Sequence, residues 1–387
     1  MIVAGFTSTG SKRPEALFGA ADPGADLPVR MRRSAGPRIW DDQGREYLDL
    51  IMALGAVSLG YAHPAVMTAA REALERGGVG SLAPVEEERL AERLREVSPW
   101  LESVRFLKTG AEAVAAAVRL ARAATGRNLV IGCGYHGWLD LSSTGPGVPG
   151  SVQADFRTIP FDDADRTRAA IREADNALAA VVIEPVVDGP PSIEWLRLLR
   201  AETERVGAAL VFDEIKTGFR LAVGGAVERW GIVPDLVVLG KALGNGFPLA
   251  AVGGARRFLD QVGRTWISST LATEFVALAA ARAAVDQCVT LGVPAHLGRV
   301  GGRLHRGLAR LATEFPGLVS GAPGVPEMCY LRFRDESVGG RVAAEAARRG
   351  LLFKRTAYNF VSLAHGEGEV DFALGVIEEA LIAAARC

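Results

Sequence analysis

The sequence predicts an α/β fold, with a mostly parallel sheet flanked by helices and a smaller α+β lobe. From about residue 66 onward, short apolar runs alternate with helical patterns. The runs are rich in Val, Leu and Ile, and most end in Gly, Pro, Asp or Glu. Strands that are buried on both faces of a helix-flanked parallel sheet show this continuous apolar pattern. The alternation therefore indicates an α/β architecture.

The N-terminal residues 1 to about 37 are rich in Gly, Pro and charge, which is typical of an arm. RIWDDQGREYLDLI then predicts a β-hairpin, with two short strands around an Asp-Gln-Gly turn. We assign residues 1–50 to this arm and hairpin, as part of the small lobe.

Five apolar runs predict the buried strands of the large domain, which we place at residues 51–285: SVRFLK, NLVIGC, ALAAVVIEP, GAALVFDE and DLVVLG. After TWISSTLATE a long Ala-rich helical stretch runs to about residue 312. Strand-like and helical pieces then alternate to the end of the chain. This pattern predicts a small C-terminal domain at residues 286–387.

Composition argues against several functional classes. The chain has 387 residues, with 44 basic and 45 acidic ones and no polybasic run, so we expect no nucleic-acid partner. No segment has about 18 uninterrupted apolar residues, and the N-terminus lacks a secretory pattern, so we expect a cytoplasmic location and no membrane partner. Cys133, Cys288, Cys329 and Cys387 lie far apart, and we interpret them as reduced and structural, with no metal site.

Two strand ends carry residues that suit a flat, phosphorylated ligand. Thr109, Gly110 and Ala111 follow SVRFLK and open a helix, whose N–H groups and dipole favour a phosphate. An ordinary N-cap at Thr109 fits the pattern equally well. Tyr135 and His136 lie among glycines after NLVIGC. They suit stacking on a ring, and a surface turn with packed aromatics is the alternative.

Two charged residues follow later strands. Asp213 ends an apolar strand, where a carboxylate needs a partner such as a protonated pyridine nitrogen; a helix N-cap is the alternative. Lys241 follows DLVVLG and precedes a Gly-rich loop. A partly desolvated amine can form an imine with an aldehyde, whereas a lysine that reaches solvent or pairs with a carboxylate is the alternative. Because these residues follow successive strands, we interpret them together as the binding site of one cofactor.

These motifs resemble those of the class III aminotransferases, within the fold type I enzymes that depend on pyridoxal 5′-phosphate (PLP). The branch they resemble contains glutamate-1-semialdehyde aminomutase. The similar blocks span nearly the whole chain, in order: LPVR, WDDQGREYLDL, LGYAHPAV, RFLKTGAEA, LARAATGR, GYHGW, VVIEPV, VFDEIKTGFR, PDLVVLGKALGNGFPLAAVGG and FVSLAH. The resemblance implies PLP as cofactor, a sheet of the seven-stranded type and a homodimer.

The resemblance also implies residue roles. Lys241 carries PLP as a Schiff base and moves the substrate proton, Asp213 holds the ring nitrogen, and Tyr135 stacks on the ring; we count all three as catalytic. The full set of implied cofactor contacts is Thr109, Gly110 and Ala111 at the phosphate, Tyr135, His136, Glu184, Asp213, Ile215 beneath the ring, Lys241, and Thr270, which reaches the phosphate of the neighbouring subunit.

The substrate end differs more from the branch. Arg30, in LPVR, matches an arginine that binds the substrate carboxylate, a group that suits a guanidinium fork; an ordinary arginine of the arm is the alternative. Leu54 stands where a Trp is expected, and Ala357, beside Tyr358, where a Glu is expected. The segment after Tyr135 is shorter than in the mutase. These departures imply a changed substrate, and we count Arg30, Leu54 and Tyr358 as substrate-binding residues.

We expect an aminotransferase that moves an amino group from an amino-acid donor to a carbonyl acceptor by ping-pong half-reactions. A PLP-dependent isomerase, either an aminomutase or an amino-acid epimerase, would use the same residues. A PLP-binding sensory or scaffolding protein is a third hypothesis, which Lys241 and Asp213 disfavour. The acceptor stays open between an amino acid, a keto acid and an amino-sugar or cyclitol precursor of specialised metabolism.

Overall fold

In the computed structural model, which describes residues 2–20, 24 and 26–386, the chain consists of two units. One unit comprises Met1–His63 with Val293–Cys387, and the other comprises Pro64–Gly292. The domain boundaries predicted at residues 50/51 and 285/286 stay predictions.

The helices of the described residues are α1 (Pro14–Phe18), α2 (Met52–Gly55), α3 (Pro64–Glu75), α4 (Val85–Val97), α5 (Gly110–Thr125), α6 (Gly150–Gln153), α7 (Ala164–Ala174), α8 (Ile193–Val206), α9 (Gly225–Trp230), α10 (Arg256–Leu259), α11 (Val262–Thr265), α12 (Phe275–Thr290), α13 (Val293–Glu314), α14 (Glu336–Arg348) and α15 (Glu367–Ala385). Short 3-10 turns cover Gly10–Lys12, Asp175–Ala177, Lys241–Leu243 and Thr270–Thr273.

The strands of the described residues are β1 (Met31–Ala35), β2 (Arg38–Asp41), β3 (Glu46–Asp49), β4 (Ser103–Leu107), β5 (Leu129–Cys133), β6 (Phe156–Thr158), β7 (Leu178–Ile183), β8 (Ala209–Asp213), β9 (Leu236–Leu239), β10 (Ala250–Gly254), β11 (Val319–Gly321), β12 (Gly324–Val325), β13 (Met328–Cys329), β14 (Arg332–Phe333), β15 (Leu351–Leu352) and β16 (Asn359–Phe360).

The unit Pro64–Gly292 contains a seven-stranded sheet in the order β4-β10-β9-β8-β7-β5-β6. Strand β10 runs antiparallel to β4 and β9, and the other neighbouring pairs are parallel. Strands β5, β7, β8 and β9 are buried along their whole length, as their continuous apolar runs predict. The predicted fold class, a mostly parallel sheet flanked by helices, is confirmed.

Each of the five predicted apolar runs forms a strand, namely β4, β5, β7, β8 and β9. Our list of predicted strands lacked β6 and β10. Strand β6 is short, and none of its three residues is buried. Strand β10, Ala-Ala-Val-Gly-Gly, consists mostly of residues with low strand propensity. It forms because it is hydrogen-bonded to strands on both sides, which a local pattern does not reveal.

Helix α5 fixes the position of the strand ends near it. Its apolar face packs on the sheet, and Ala113, Ala117, Leu120 and Ala121 are fully buried. Burying this face anchors the helix, so that its N-terminus stays directly behind the carboxyl end of β4. Carboxyl ends of neighbouring parallel strands lie at one edge of a sheet, where ligands bind in this class of fold.

The other unit contains smaller sheets. Strands β1, β2 and β3 pair antiparallel, β15 pairs parallel with β3, and two further sheets join β11 with β14 and β12 with β13 and β16. The hairpin of β2 and β3 has the predicted turn, in which Asp41 Oδ1 accepts the N–H groups of Gln43 and Arg45. The segment Met52–Gly55 is a left-handed turn, with φ of 50° at Ala53 and 61° at Leu54.

The Ala-rich stretch predicted as one helix to about residue 312 is two helices, α12 and α13, which are interrupted at Leu291–Gly292. Gly292 has a φ of 57°, which ends the helix. No single helix among the described residues has both the length and the apolar character that crossing a membrane requires, although α12 and α13 reach them when taken together.

The cysteines that the structure describes, Cys133, Cys288 and Cys329, are buried free thiols. Cys387 lies outside the described residues. Within the described ranges, no three His, Cys, Asp or Glu side chains form a group that could hold a metal.

Candidate active site

The N-terminus of α5 forms a complete capping box. Thr109 Oγ1 accepts the N–H of Glu112 at 3.2 Å, and Glu112 Oε2 accepts the N–H of Thr109 at 2.8 Å. Thr109 is therefore the helix N-cap that the sequence left as an alternative. Gly110 and Ala111 are the first two helical residues, whose N–H groups have no acceptor within the helix. They present two donors and the positive end of the helix dipole.

Ile215 packs against this cradle. A Cβ atom added to Gly110 would collide with the end of the Ile215 side chain. Ile215 follows β8 and is half-buried. The contact brings the small residue at the start of α5 next to the apolar residue that follows β8.

The glycine turn after β5 lies against two neighbouring strand ends. Gly134 and Gly137 have φ of 107° and 100°. A Cβ atom on Gly137 would lie 2.6 Å from Ala111 Cβ, and one on Gly134 would lie 2.7 Å from Glu184 Cγ. The turn presents Tyr135, whose side chain is exposed. An exposed aromatic ring held by a tight turn suits stacking on a planar ligand.

His136 contacts Asp213. His136 Nδ1 lies 2.9 Å from Asp213 Oδ2, and both side chains are buried. Because a carboxylate only accepts, Nδ1 carries the hydrogen of this bond. Asp213 Oδ1 accepts the N–H of Ile215 at 3.3 Å. Within the part of the chain that the structure describes, His136 Nε2 has no hydrogen-bond partner. The carboxylate is thus fixed at the end of β8.

Lys241 opens the 3-10 turn after β9 with a φ of 44°, a left-handed conformation that is costly for a residue with a Cβ. Burial is the main cause that lowers the pKa of Lys241 to about 8, and the charge of Lys216 lowers it further. The carboxylates of Asp213 and Glu184 act in the opposite direction. A large neutral fraction near pH 8 makes this amine a nucleophile.

Glu184 follows β7 and is held from two sides. Its Oε1 accepts the N–H of Tyr135 at 2.5 Å, and its other oxygen forms an ion pair with Lys216. Lys216 was not among the residues predicted from the sequence. Its position in VFDEIKTGFR, three residues beyond Asp213 at a strand end, was the signal that could have identified it.

These groups line one cavity of about 250 Å³. Nine of the ten predicted cofactor residues are among its lining residues: Thr109, Gly110, Ala111, Tyr135, His136, Glu184, Asp213, Ile215 and Lys241. Lys216 and Trp138 also line it. Donors for an anion, a buried carboxylate and a nucleophilic amine therefore surround one space, which fits a phosphorylated heteroaromatic aldehyde.

Thr270, the tenth residue, does not line this cavity. Thr270 is exposed and begins a 3-10 turn, in which its carbonyl accepts the hydroxyl of Thr273 at 3.1 Å. Trp266 and Leu271, near it in sequence, expose large parts of their side chains, 87% and 57%.

The three predicted substrate residues belong to the other unit. There the Arg30 guanidinium lies 3.9 Å from the centre of the Phe6 ring and donates to the Phe6 carbonyl at 3.2 Å. Leu54 lies in the left-handed turn. Tyr358 packs edge-on against Tyr330, with ring centres 5.5 Å apart.

The chain is similar in sequence to known enzymes. Residues 20–367 match the family model described as aminotransferase class III. A glutamate-1-semialdehyde 2,1-aminomutase of Thermomicrobium roseum is 37% identical over 420 residues, which cover 98% of this chain and 96% of that protein. A protein of the same name from Pyrobaculum calidifontis is 33% identical, over 91% of this chain and 88% of its own.

Solved structures are similar to this chain in fold. The PLP internal aldimine form of the FumI protein of Sphingopyxis sp. MTA144 has a TM-score of 0.92 and 26% identity, covering 100% of this chain and 94% of that one. An omega-transaminase from Sphaerobacter thermophilus has a TM-score of 0.83 and 26% identity, covering 98% of each chain.

Proposed function

Because the chain belongs to the class III aminotransferase family, we propose that it moves an amino group from an amino-acid donor to a small carbonyl acceptor in two half-reactions. It is a PLP-dependent aminotransferase. The observation that supports the detailed roles is the shared cavity, where the ends of β4, β5, β7, β8 and β9 bring together nine predicted residues, Lys241 among them.

The residues present fit PLP. Gly110 and Ala111 would bind its phosphate through backbone N–H groups at the start of α5. Asp213 would hold the proton of the pyridine nitrogen, and Tyr135 and Ile215 would cover the two faces of the ring. When bound, PLP supplies an electron sink for negative charge that develops on the substrate carbon.

Two functional groups of the chain would act in the reaction: the amine of Lys241 and the carboxylate of Asp213. Lys241 Nζ would hold the cofactor through its aldehyde and, once free, would accept the proton of the donor carbon and pass it on to the cofactor. His136 orients Asp213 through the bond at 2.9 Å, and the burial of both side chains excludes water from that carboxylate. A buried, oriented carboxylate keeps a neighbouring ring nitrogen protonated more effectively than an exposed one.

We propose that two chains form a homodimer, in which Thr270 contacts the phosphate in the partner subunit. Two features support this. Thr270 is exposed and absent from the cavity of its own chain, and the neighbouring Trp266 and Leu271 expose apolar surface. The contacts of Arg30, Leu54 and Tyr358 with substrate stay predictions.

A substrate-dependence assay tests the function. With an amino donor alone, the wild-type enzyme is expected to release about one keto product per active site and then stop, because the amino group stays on the cofactor. Adding a keto acid or another carbonyl acceptor restarts the reaction. Lys241→Ala is expected to show no turnover, whereas Lys108→Ala, which removes a lysine outside the cavity, keeps it.

A second candidate is an isomerase, favoured by the aminomutase names of the relatives at 33% and 37% identity. An isomerase returns the amino group to the same carbon skeleton and needs no acceptor. Continuous conversion of a single substrate, without added carbonyl compound, would therefore replace the aminotransferase proposal by this one. Full activity of Lys241→Ala would contradict both.

A further inference from the structure

A second lysine shares the cavity with Lys241. Lys216 lines the same space and forms an ion pair with Glu184. The side chain of Lys216 is 20% exposed and that of Glu184 only 4%. The carboxylate therefore lies behind the ammonium group, and the positive end of the pair is the one closer to solvent.

Glu184 is fixed, and it fixes Lys216 in turn. Its carboxylate accepts the backbone N–H of Tyr135 at 2.5 Å, and its stem packs so closely on Gly134 that a Cβ there would lie 2.7 Å from Glu184 Cγ. A lysine stem has four flexible carbons and would otherwise extend toward bulk water. The ion pair instead retains its charge at the cavity.

Four charged groups act on the amine of Lys241. Lys216 and Arg220 disfavour a proton on it, whereas Asp213 and Glu184 favour one. After burial, Lys216 has the largest effect, larger than that of its own partner Glu184. The pair is neutral as a whole, yet its positive member dominates at Lys241. Like charges in a poorly solvated space interact strongly.

We propose that Lys216 is a positioning residue for Lys241, whose fixed positive charge keeps the reactive amine in its neutral, nucleophilic form. The inference rests on the proposed role of Lys241 as the cofactor-binding amine.

The test measures the protonation of each lysine in the full-length protein prepared without cofactor. Trace acetic anhydride acetylates only neutral amines, and the extent at each pH is read by mass spectrometry. Trypsin cleavage at Arg220 and Arg229 places Lys216 and Lys241 on different peptides. In the wild type, half-maximal acetylation of Lys241 is expected near pH 8, because the pKa of Lys241 is lowered to about 8.

Two variants that remove the charge of Lys216 must raise this midpoint. Lys216→Met is expected to raise it by about one pH unit. Lys216→Gln removes the same charge with a polar side chain and is expected to raise it as well. Lys216→Arg keeps the charge and should leave the midpoint near the wild-type value. Lys108→Met is the matched control, since Lys108 also pairs with a glutamate, Glu274, outside the cavity.

The charge-retaining variant separates an electrostatic role from a structural one. A loosened cavity would admit water and raise the midpoint in Lys216→Arg as well. An upward shift in Lys216→Arg, or no shift in Lys216→Met, overturns the inference. If Lys216→Met does not fold, Lys216→Gln decides in its place. The visible spectrum of the loaded enzyme provides a second readout, whose pH midpoint should move in the same directions.

The outcome is distinguishable from a failure of the proposed function. Turnover by Lys241→Ala would remove the premise. Loss of turnover in that variant, with an unchanged acetylation midpoint of Lys241 in Lys216→Met and Lys216→Gln, would leave the function intact and reject only the role of Lys216.

Discussion

At the scale of single residues, some positions of this site need a small residue because of the space it leaves for a neighbour. Gly137 lies in the turn that presents Tyr135, with a φ of 100°. Its missing Cβ leaves room for Ala111, the second residue of the phosphate cradle. The sequence identified the glycines of this turn only as loop formers. The contact with α5 shows that Gly137 also sets the distance between the ring-stacking turn and the helix N-terminus.

We expect Gly137→Ala to lower the free energy of unfolding by about 1–3 kcal/mol, because an L-residue at this φ is strained. The added Cβ would also push Ala111 away from its place, so the dissociation constant for PLP should rise. Chemical denaturation and a spectroscopic titration with PLP measure the two effects.

Gly150→Ala is the matched control, since no described atom lies within 4 Å of a Cβ at Gly150 and its φ is not in the left-handed region. Equal stability and PLP affinity in both glycine variants would contradict the role of Gly137.

At the scale of elements, the carboxyl ends of the strands and the helix start that follows β4 create the site. Strands β5, β7, β8 and β9 could be predicted because continuous apolar runs mark strands that are buried on both faces. Strand β4 was also predicted, although only its last two residues are buried. Strands β6 and β10 could not be predicted, because neighbouring strands stabilise them rather than their own residues. Helix α5 combines a local and a long-range feature. Its capping box is a local motif, whereas the packing of its buried face on the sheet is a tertiary contact.

Thr109→Ala is expected to reduce the free energy of unfolding by about 1 kcal/mol, since it removes the side chain that caps α5. Fraying of the first turn would move the N–H groups of Gly110 and Ala111, and PLP affinity should fall. Thr109→Ser keeps the hydroxyl and should restore both quantities. A Thr109→Ala protein with wild-type stability and affinity would show that the capping box does not order the cradle.

At the scale of the whole molecule, several large apolar side chains are exposed that a partner chain could bury. Trp266 and Leu271, on either side of the exposed Thr270, have exposed side chains, and Leu82 is 87% exposed in the same unit. Large exposed apolar side chains are typical of interaction surfaces. They support the proposed homodimer, in which each site receives Thr270 from the partner.

Trp266→Glu is expected to convert a dimer of two chains into a monomer, because it introduces a charge into an apolar interface. Light scattering after size-exclusion chromatography measures the mass, and PLP affinity should fall with it. Val233→Glu changes another exposed apolar residue of the same unit and should leave the dimer intact. A wild-type mass of one chain would refute the proposal.

The sequence by itself determined the fold class, five of the seven strands of the large sheet and the residue types at their ends. It could do so because burial on two faces leaves a continuous apolar pattern, and because Lys241 and Asp213 have few ordinary roles at such ends. Only the tertiary structure decided which side chains meet. His136 contacts Asp213 across 77 residues, and Glu184 contacts Tyr135 and Lys216, because β8, β7 and β5 are neighbours in the sheet. Strand order depends on long-range packing, which no local pattern encodes.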